Sequence, residues 1–110
     1  MKNIQIDNPI EFIKKKKNEM RLYAETLVRD GVDITDPERI DIRGELVCGK
    51  NVNIDINVII QGSVKLGDNV SIGANSIIID SVIGHDSVIK PFTIIEGAII
   101  GGNSFVGPYG

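Results

Sequence analysis

Residues 66–76 read LGDNVSIGANS: Leu66-Gly67-Asp68-Asn69-Val70-Ser71, then a near-copy, Ile72-Gly73-Ala74-Asn75-Ser76. An aliphatic residue, a glycine and an asparagine return at a spacing of six, and the spacing extends in both directions. Aliphatic or Cys residues stand at Ile42, Cys48, Ile54, Ile60, Leu66, Ile72 and Ile78. The series continues at Ile83, Ile89, Ile95, Ile100 and Val106, with five-residue steps from Ile78 to Ile83 and from Ile95 to Ile100. Four places after each member from Cys48 to Ile100 comes a small or β-branched residue: Val52, Val58, Val64, Val70, Ser76, Val82, Ser87, Thr93, Ile99 and Ser104. Three places after come Asn51, Asn57, Ser63, Asn69, Asn75, Ser81, Asp86, Phe92, Ala98 and Asn103. Half of these are Asn, which tolerates a left-handed backbone better than other residues with a side chain.

A period of six with one left-handed residue per unit describes a short strand followed by a sharp corner. Three such units close a triangular coil of about 18 residues, and coils stack at the β-sheet spacing of about 4.8 Å. The first residue of each unit points inward and builds a column of Ile, Leu and Val. The residue four places on fits inside near the corner. A glycine after the aliphatic, at Gly49, Gly67, Gly73, Gly84, Gly101 and Gly107, relieves crowding there. A β-sandwich would instead show alternation with period two and turn signals every 8–12 residues.

Residues 1–41 follow a different pattern. Asn8-Pro9 with Glu11 predicts a helix start, with Asn as N-cap and Pro at the first helical position. Ile13, Met20, Ala24 and Leu27 then share one helical face, with Tyr23 and Val28 beside it, and Gly31 is the expected stop. The spacing predicts a helix over roughly 9–30, followed by the connector VDITDPERID with a turn at Asp36-Pro37. Residues 1–41 are thus a linker helix and connector, and 42–110 a β-helix of about three and a half coils. The run Lys14-Lys15-Lys16-Lys17 fans around most of the helix and reads as a solvated surface, with Lys17 on the apolar stripe.

Composition narrows the function classes. The chain has 110 residues and a net charge of −3, which gives no electrostatic case for nucleic acid or an anionic membrane as partner. Aromatic residues make up 5%, so the apolar content is mostly Ile and Val, as β-rich structure requires. The single cysteine, Cys48, excludes an intramolecular disulfide and a cysteine-cluster metal site. The N-terminus lacks the apolar core of a signal peptide, and no apolar run reaches the length of a membrane span. A cytoplasmic protein is expected.

The period identifies the hexapeptide-repeat fold, a left-handed parallel β-helix, here mainly β with one N-terminal α-helix; the left hand is implied by the family and is an exception to the usual crossover rule. The stretch Asp36-Pro37-Glu38-Arg39-Ile40-Asp41-Ile42-Arg43-Gly44 resembles the helix-to-β-helix junction of one bacterial family. That family is the bifunctional N-acetylglucosamine-1-phosphate uridyltransferase/glucosamine-1-phosphate acetyltransferases. Asn57–Gly73 (NVIIQGSVKLGDNVSIG) and Ser81–Thr93 (SVIGHDSVIKPFT) are similar to its early coils, and Ile100–Gly110 to the segment before its Leu-Arg-Pro-Gly motif.

The resemblance implies a homotrimer, acetyl-CoA and Mg²⁺ as the family's cofactors, and UDP-N-acetylglucosamine for peptidoglycan and lipopolysaccharide as its product. The family's uridyltransferase site lies in an N-terminal domain with a Gly-rich phosphate loop. Its acetyltransferase site uses Arg, Lys, His and Tyr residues of later coils, and these 110 residues contain neither. No independent catalysis, and no cofactor for this chain alone, is therefore expected. Three further readings stay open: a trimerisation module, one part of a split enzyme whose complementary chain covers the last coil, and a small standalone acyltransferase.

The resemblance makes Asn8 the nearest equivalent of a Mg²⁺-contacting Asn, while the residues themselves read it as a helix N-cap. The tripeptide His85-Asp86-Ser87 suggests a triad, but triads are spatial arrangements, and the repeat places His85 at a solvent-facing corner. Cys48 falls on an inward position and is expected to be a buried, inert thiol. Tyr109 has no general base nearby in sequence.

Overall fold

The structure, a computed structural model, describes residues 8–108. Tyr109, Ile6 and Asp7 lie outside the described residues. The elements run in the order α1 (Pro9–Arg29), β1 (Asp33–Ile34), β2 (Ile40–Cys48), β3 (Asn53–Ile54), β4 (Val58–Leu66), β5 (Ser71–Ile72), β6 (Ile77–Ile79), β7 (Val82–Ile83), β8 (Val88–Ile89), β9 (Ile94–Glu96), β10 (Ile99–Ile100) and β11 (Phe105–Val106).

All the strand pairs are parallel and follow three faces of a prism. One face stacks β1, β3, β5, β8 and β11. The second stacks the first halves of β2 and β4 with β6 and β9, and the third their second halves with β7 and β10. Like residues sit on like: Ile42 on Ile60, Ile60 on Ile78, and Ile78 on Ile95. The inward residues Ile54, Ile60, Leu66, Ile78, Ile83 and Ile89 are essentially inaccessible and form the column that the period of six predicts. The connector itself supplies the first rung, β1, through Asp33 N–H to the Val52 carbonyl at 2.9 Å.

The corners follow the left-handed rule, with a correction. Asn51, Asn57, Asn69, Asn75, Asp86, Phe92 and Asn103 all have φ between 57° and 62°. Between the second and third faces, however, the left-handed residue is Gly62, Asp80 or Gly97, one place before the expected Ser63, Ser81 and Ala98. β2 and β4 run through this corner without interruption. At Gly62 any Cβ would collide with the Asp80 side chain, whose Oδ1 accepts the Ser63 N–H at 3.0 Å. The five-residue units omit the residue between this bend and the inward position. Ser81 is therefore buried in place of Val82, and Ala98 packs against the core in place of Ile99. Val82 and Ile99 turn outward, and Ile99 is 87% exposed.

Coils of 18 residues give way to coils of 17 above β5, and the inward corner residues change from Val to Ser or Thr there. The hydroxyls join successive rungs. Thr93 N–H donates to Ser76 Oγ, Ala98 N–H to Ser81 Oγ and Ser104 N–H to Ser87 Oγ, at 3.3, 3.0 and 3.1 Å. Each hydroxyl also donates to a carbonyl, and no buried side-chain polar atom among the described residues lacks a partner. This satisfaction is what lets polar groups sit in the core. Gly49, Gly67, Gly73 and Gly84 have the expected role, since a Cβ at each would strike the backbone of the next rung.

Helix α1 begins and ends as its sequence predicts. Asn8 Oδ1 accepts from Ile10 N–H and Glu11 N–H at 3.1 and 3.2 Å. At the other end Gly31 has φ 104°, its N–H donates to Val28, and Val32 N–H donates to Leu27. This is a Schellman ending, with Leu27 and Val32 both buried. Only the last turns lie on the prism: Ala24 and Leu27 are buried, whereas Ile13 is 52% exposed despite sharing their face. Tyr23 Oη clasps the outermost rung, accepting the Leu46 N–H at 3.1 Å and lying 3.5 Å from its carbonyl. The helix thereby covers an edge of β2 that no strand pairs.

Phe92 is the only aromatic residue among these left-handed corners, and it is 58% exposed. A bulky residue in this conformation costs about 1–2 kcal/mol relative to one that tolerates it. Phe92→Asn is expected to raise stability by about 1 kcal/mol, seen as a higher urea midpoint with an unchanged m-value.

Candidate functional site

The structure separates the residues that the sequence brings together as His85-Asp86-Ser87. His85 Nδ1 lies 2.8 Å from Asp86 Oδ2 at an exposed corner, and this hydrogen bond holds the Asp86 carboxyl below its usual range, with a smaller contribution from Asn69. Ser87 points the other way, buried, with its hydroxyl between Gly101 O and Ser104 N. A nucleophile–base contact is geometrically closed to this trio.

Cys48 ends β2 on the third face, where only β4 lies beneath it. It is partly buried, and desolvation pushes its thiol up from 9.0 to about 11. A thiol protonated at neutral pH is a poor nucleophile.

Asn8 spends its side-chain oxygen on the helix cap. Among the described residues no group of three or more His, Cys, Asp or Glu is arranged to hold a metal ion. A carboxamide oxygen that already accepts two N–H bonds does not by itself fit a hard cation that requires several oxygen ligands.

An open groove of about 670 Å³ lies between α1 and the prism corner at the start of β2. Lys14, Lys17 and Arg21 enter it from the helix, and Arg39 faces them from the turn before Ile40. Two of the four consecutive lysines therefore do contribute to a one-sided basic surface. The lysine run alone does not show this surface, because its third and fourth members, Arg21 and Arg39, lie outside the run. The i, i+3, i+7 spacing of Lys14, Lys17 and Arg21 was the available signal.

Three-sided parallel coils, left-handed corner residues and a serine ladder define the class: the chain is a hexapeptide-repeat β-helix. The family described as bacterial transferase hexapeptide (six repeats) matches residues 46–79. More particularly, the chain is 52% identical over 86 residues to the bifunctional protein GlmU of Nitrosospira multiformis, covering 78% of this chain and 19% of that protein. It is 47% identical over 106 residues to GlmU of Baumannia cicadellinicola, covering 93% of this chain and 23% of the relative. The chain thus spans about a fifth of the length of the curated relatives it matches. Among solved structures, serine acetyltransferase 1 of Entamoeba histolytica, in complex with L-cysteine, shares the fold with a TM-score of 0.51 at 16% identity, over 71% of this chain and 37% of that one. No helix among the described residues is long and apolar enough to cross a membrane.

The Cys48 environment makes a pH prediction. Because the folded thiol ionises near 11 and an unfolded one near 9.0, its contribution to stability is present below the lower value and lost as pH rises between them. Alkylation by iodoacetamide under native conditions should therefore keep accelerating by about tenfold per pH unit past pH 9. A plateau at the usual thiol value would contradict this.

Proposed function

We propose that these residues form the scaffold of an enzyme that makes UDP-N-acetylglucosamine: the linker helix and first β-helix coils on which acetyl transfer to glucosamine-1-phosphate is built. The observation that carries this reading is the agreement between the helix-to-coil junction at 36–44, the two short units and 52% identity to a GlmU relative. The junction forms the turn after β1 and the first half of β2, so its residues are used in joining helix to coil. The general-base constellation that acetyl transfer requires is not assembled by His85, Asp86 or Cys48. A cytoplasmic setting goes with this reading, because the acetyl donor and nucleotide sugar are cytoplasmic metabolites.

A trimer of prisms is part of the proposal, and the outward rows support it. On the second face Ile59, Ile77 and Ile94 stack in register, with Ile79 beside them. On the third, Val82 and Ile99 stack, with Ile99 almost wholly exposed. Aliphatic rows pointing away from the core are costly in water and suit side-by-side burial against a second prism.

Light scattering of the purified 110-residue chain should give three times the chain mass, and Ile99→Lys should shift it toward the single-chain mass without changing the circular dichroism spectrum. The same preparation, given acetyl-CoA and glucosamine-1-phosphate, should show no turnover. Acetylated product formed by this chain alone would sink the scaffold reading in favour of a standalone acyltransferase.

A further inference from the structure

The groove between α1 and the prism has no part in the scaffold role, yet it concentrates positive charge on a chain of net charge −3. We propose that it binds a nucleoside diphosphate.

The charge is arranged on two walls. Lys14, Lys17 and Arg21 occupy successive turns of one helical face, and Arg39 stands opposite. None of the ion pairs among the described residues uses Lys14, Lys17 or Arg39. Arg21 is fixed by a 2.6 Å hydrogen bond to Asn18 Oδ1 and lies 3.7 Å from Glu25, which leaves most of its donors available. Two acids also border the groove, but Asp41 is already paired with Arg43 at 2.6 Å. The remaining balance favours an anion that spans both walls, as a diphosphate does and a single carboxylate does not.

The rest of the lining selects more than phosphate. Met20 and Pro37 supply an apolar floor on which a planar base can lie. Glu38 is left as a carboxylate acceptor for ribose hydroxyls, the role acidic residues play in nucleotide sites elsewhere. A sugar phosphate has no planar apolar part for this floor, and a volume of about 670 Å³ lies within the range of small-molecule sites. Lys14, Lys17 and Arg39 are exposed, so the groove is reachable from solvent.

Calorimetric titration of the full chain with ADP, inorganic pyrophosphate and glucose-1-phosphate tests the proposal. ADP should bind with Kd of about 10–100 μM, and pyrophosphate and glucose-1-phosphate at least about tenfold more weakly. The double variant Lys17→Glu/Arg39→Glu should weaken ADP by about 100-fold or more, and Lys14→Gln by about tenfold, with circular dichroism unchanged in both. Lys15→Glu/Lys16→Glu changes the same net charge on helix positions outside the groove and should leave affinity within about twofold once salt screens the long-range field. No binding of ADP at millimolar concentration overturns the site. Equal affinity for pyrophosphate overturns the nucleotide, and an equal loss in Lys15→Glu/Lys16→Glu overturns the location. The titration requires neither acetyl transfer nor a trimer, so its failure and that of the scaffold reading are told apart.

Discussion

The parallel hydrogen-bond ladder between one coil and the next is the interaction on which this molecule depends. It is favoured where each rung repeats the shape of the one below, because like side chains stack without displacing the next strand. Ile42, Ile60, Ile78 and Ile95 in one column meet that condition. The corner adds a backbone condition, a left-handed residue between strands. Asn, Asp and Gly meet it cheaply, and Phe92 meets it at a cost.

A shortened coil strains the same ladder, and the core chemistry changes where the coils shorten. Valines fill the inward corners of the early coils; Ser76, Ser81, Ser87 and Thr93 fill those of the later ones. Each serine accepts an N–H from the rung 17 residues on and donates to a nearby carbonyl. A hydroxyl is somewhat smaller than a methyl group, so a polar bridge fits at a corner that a valine methyl fills in the earlier coils. Leaving such backbone groups unpaired in the core would cost about 1–3 kcal/mol each.

Legibility of the fold in the sequence follows from how local each requirement is. The helix cap at Asn8, the stop at Gly31 and the left-handed corners at Asn51, Asn69 and Asn75 are decided by residues within one turn of one another, and the structure has them as read. The short units were harder. A period of six carries no mark of which residue is omitted when a unit has five, so it places Val82 and Ile99 inward although Ser81 and Ala98 occupy those places. Ile13 shares its helical face with Leu27, and only the reach of the prism shows that its turn is left uncovered. Of the candidate site, the corner placement of His85 was legible from the repeat, whereas the groove was not. Its walls come from α1 and from the turn before β2, which periodicity treats as unrelated segments.

By itself, the sequence determined the architecture: a period of six with a left-handed residue in each unit can close only as a stacked triangular coil. Each unit contains what its own strand and corner need, so no knowledge of distant contacts was required. Tertiary structure decided how the helix meets that coil. Tyr23 at the Leu46 edge and the last turns of α1 on the core fix the helix against the prism. The first turns, left standing beside the prism, bring Lys14 and Lys17 across from Arg39. Long-range burial sets that geometry, because the area covered by α1 depends on where the first rung ends, which no stretch of helix sequence encodes.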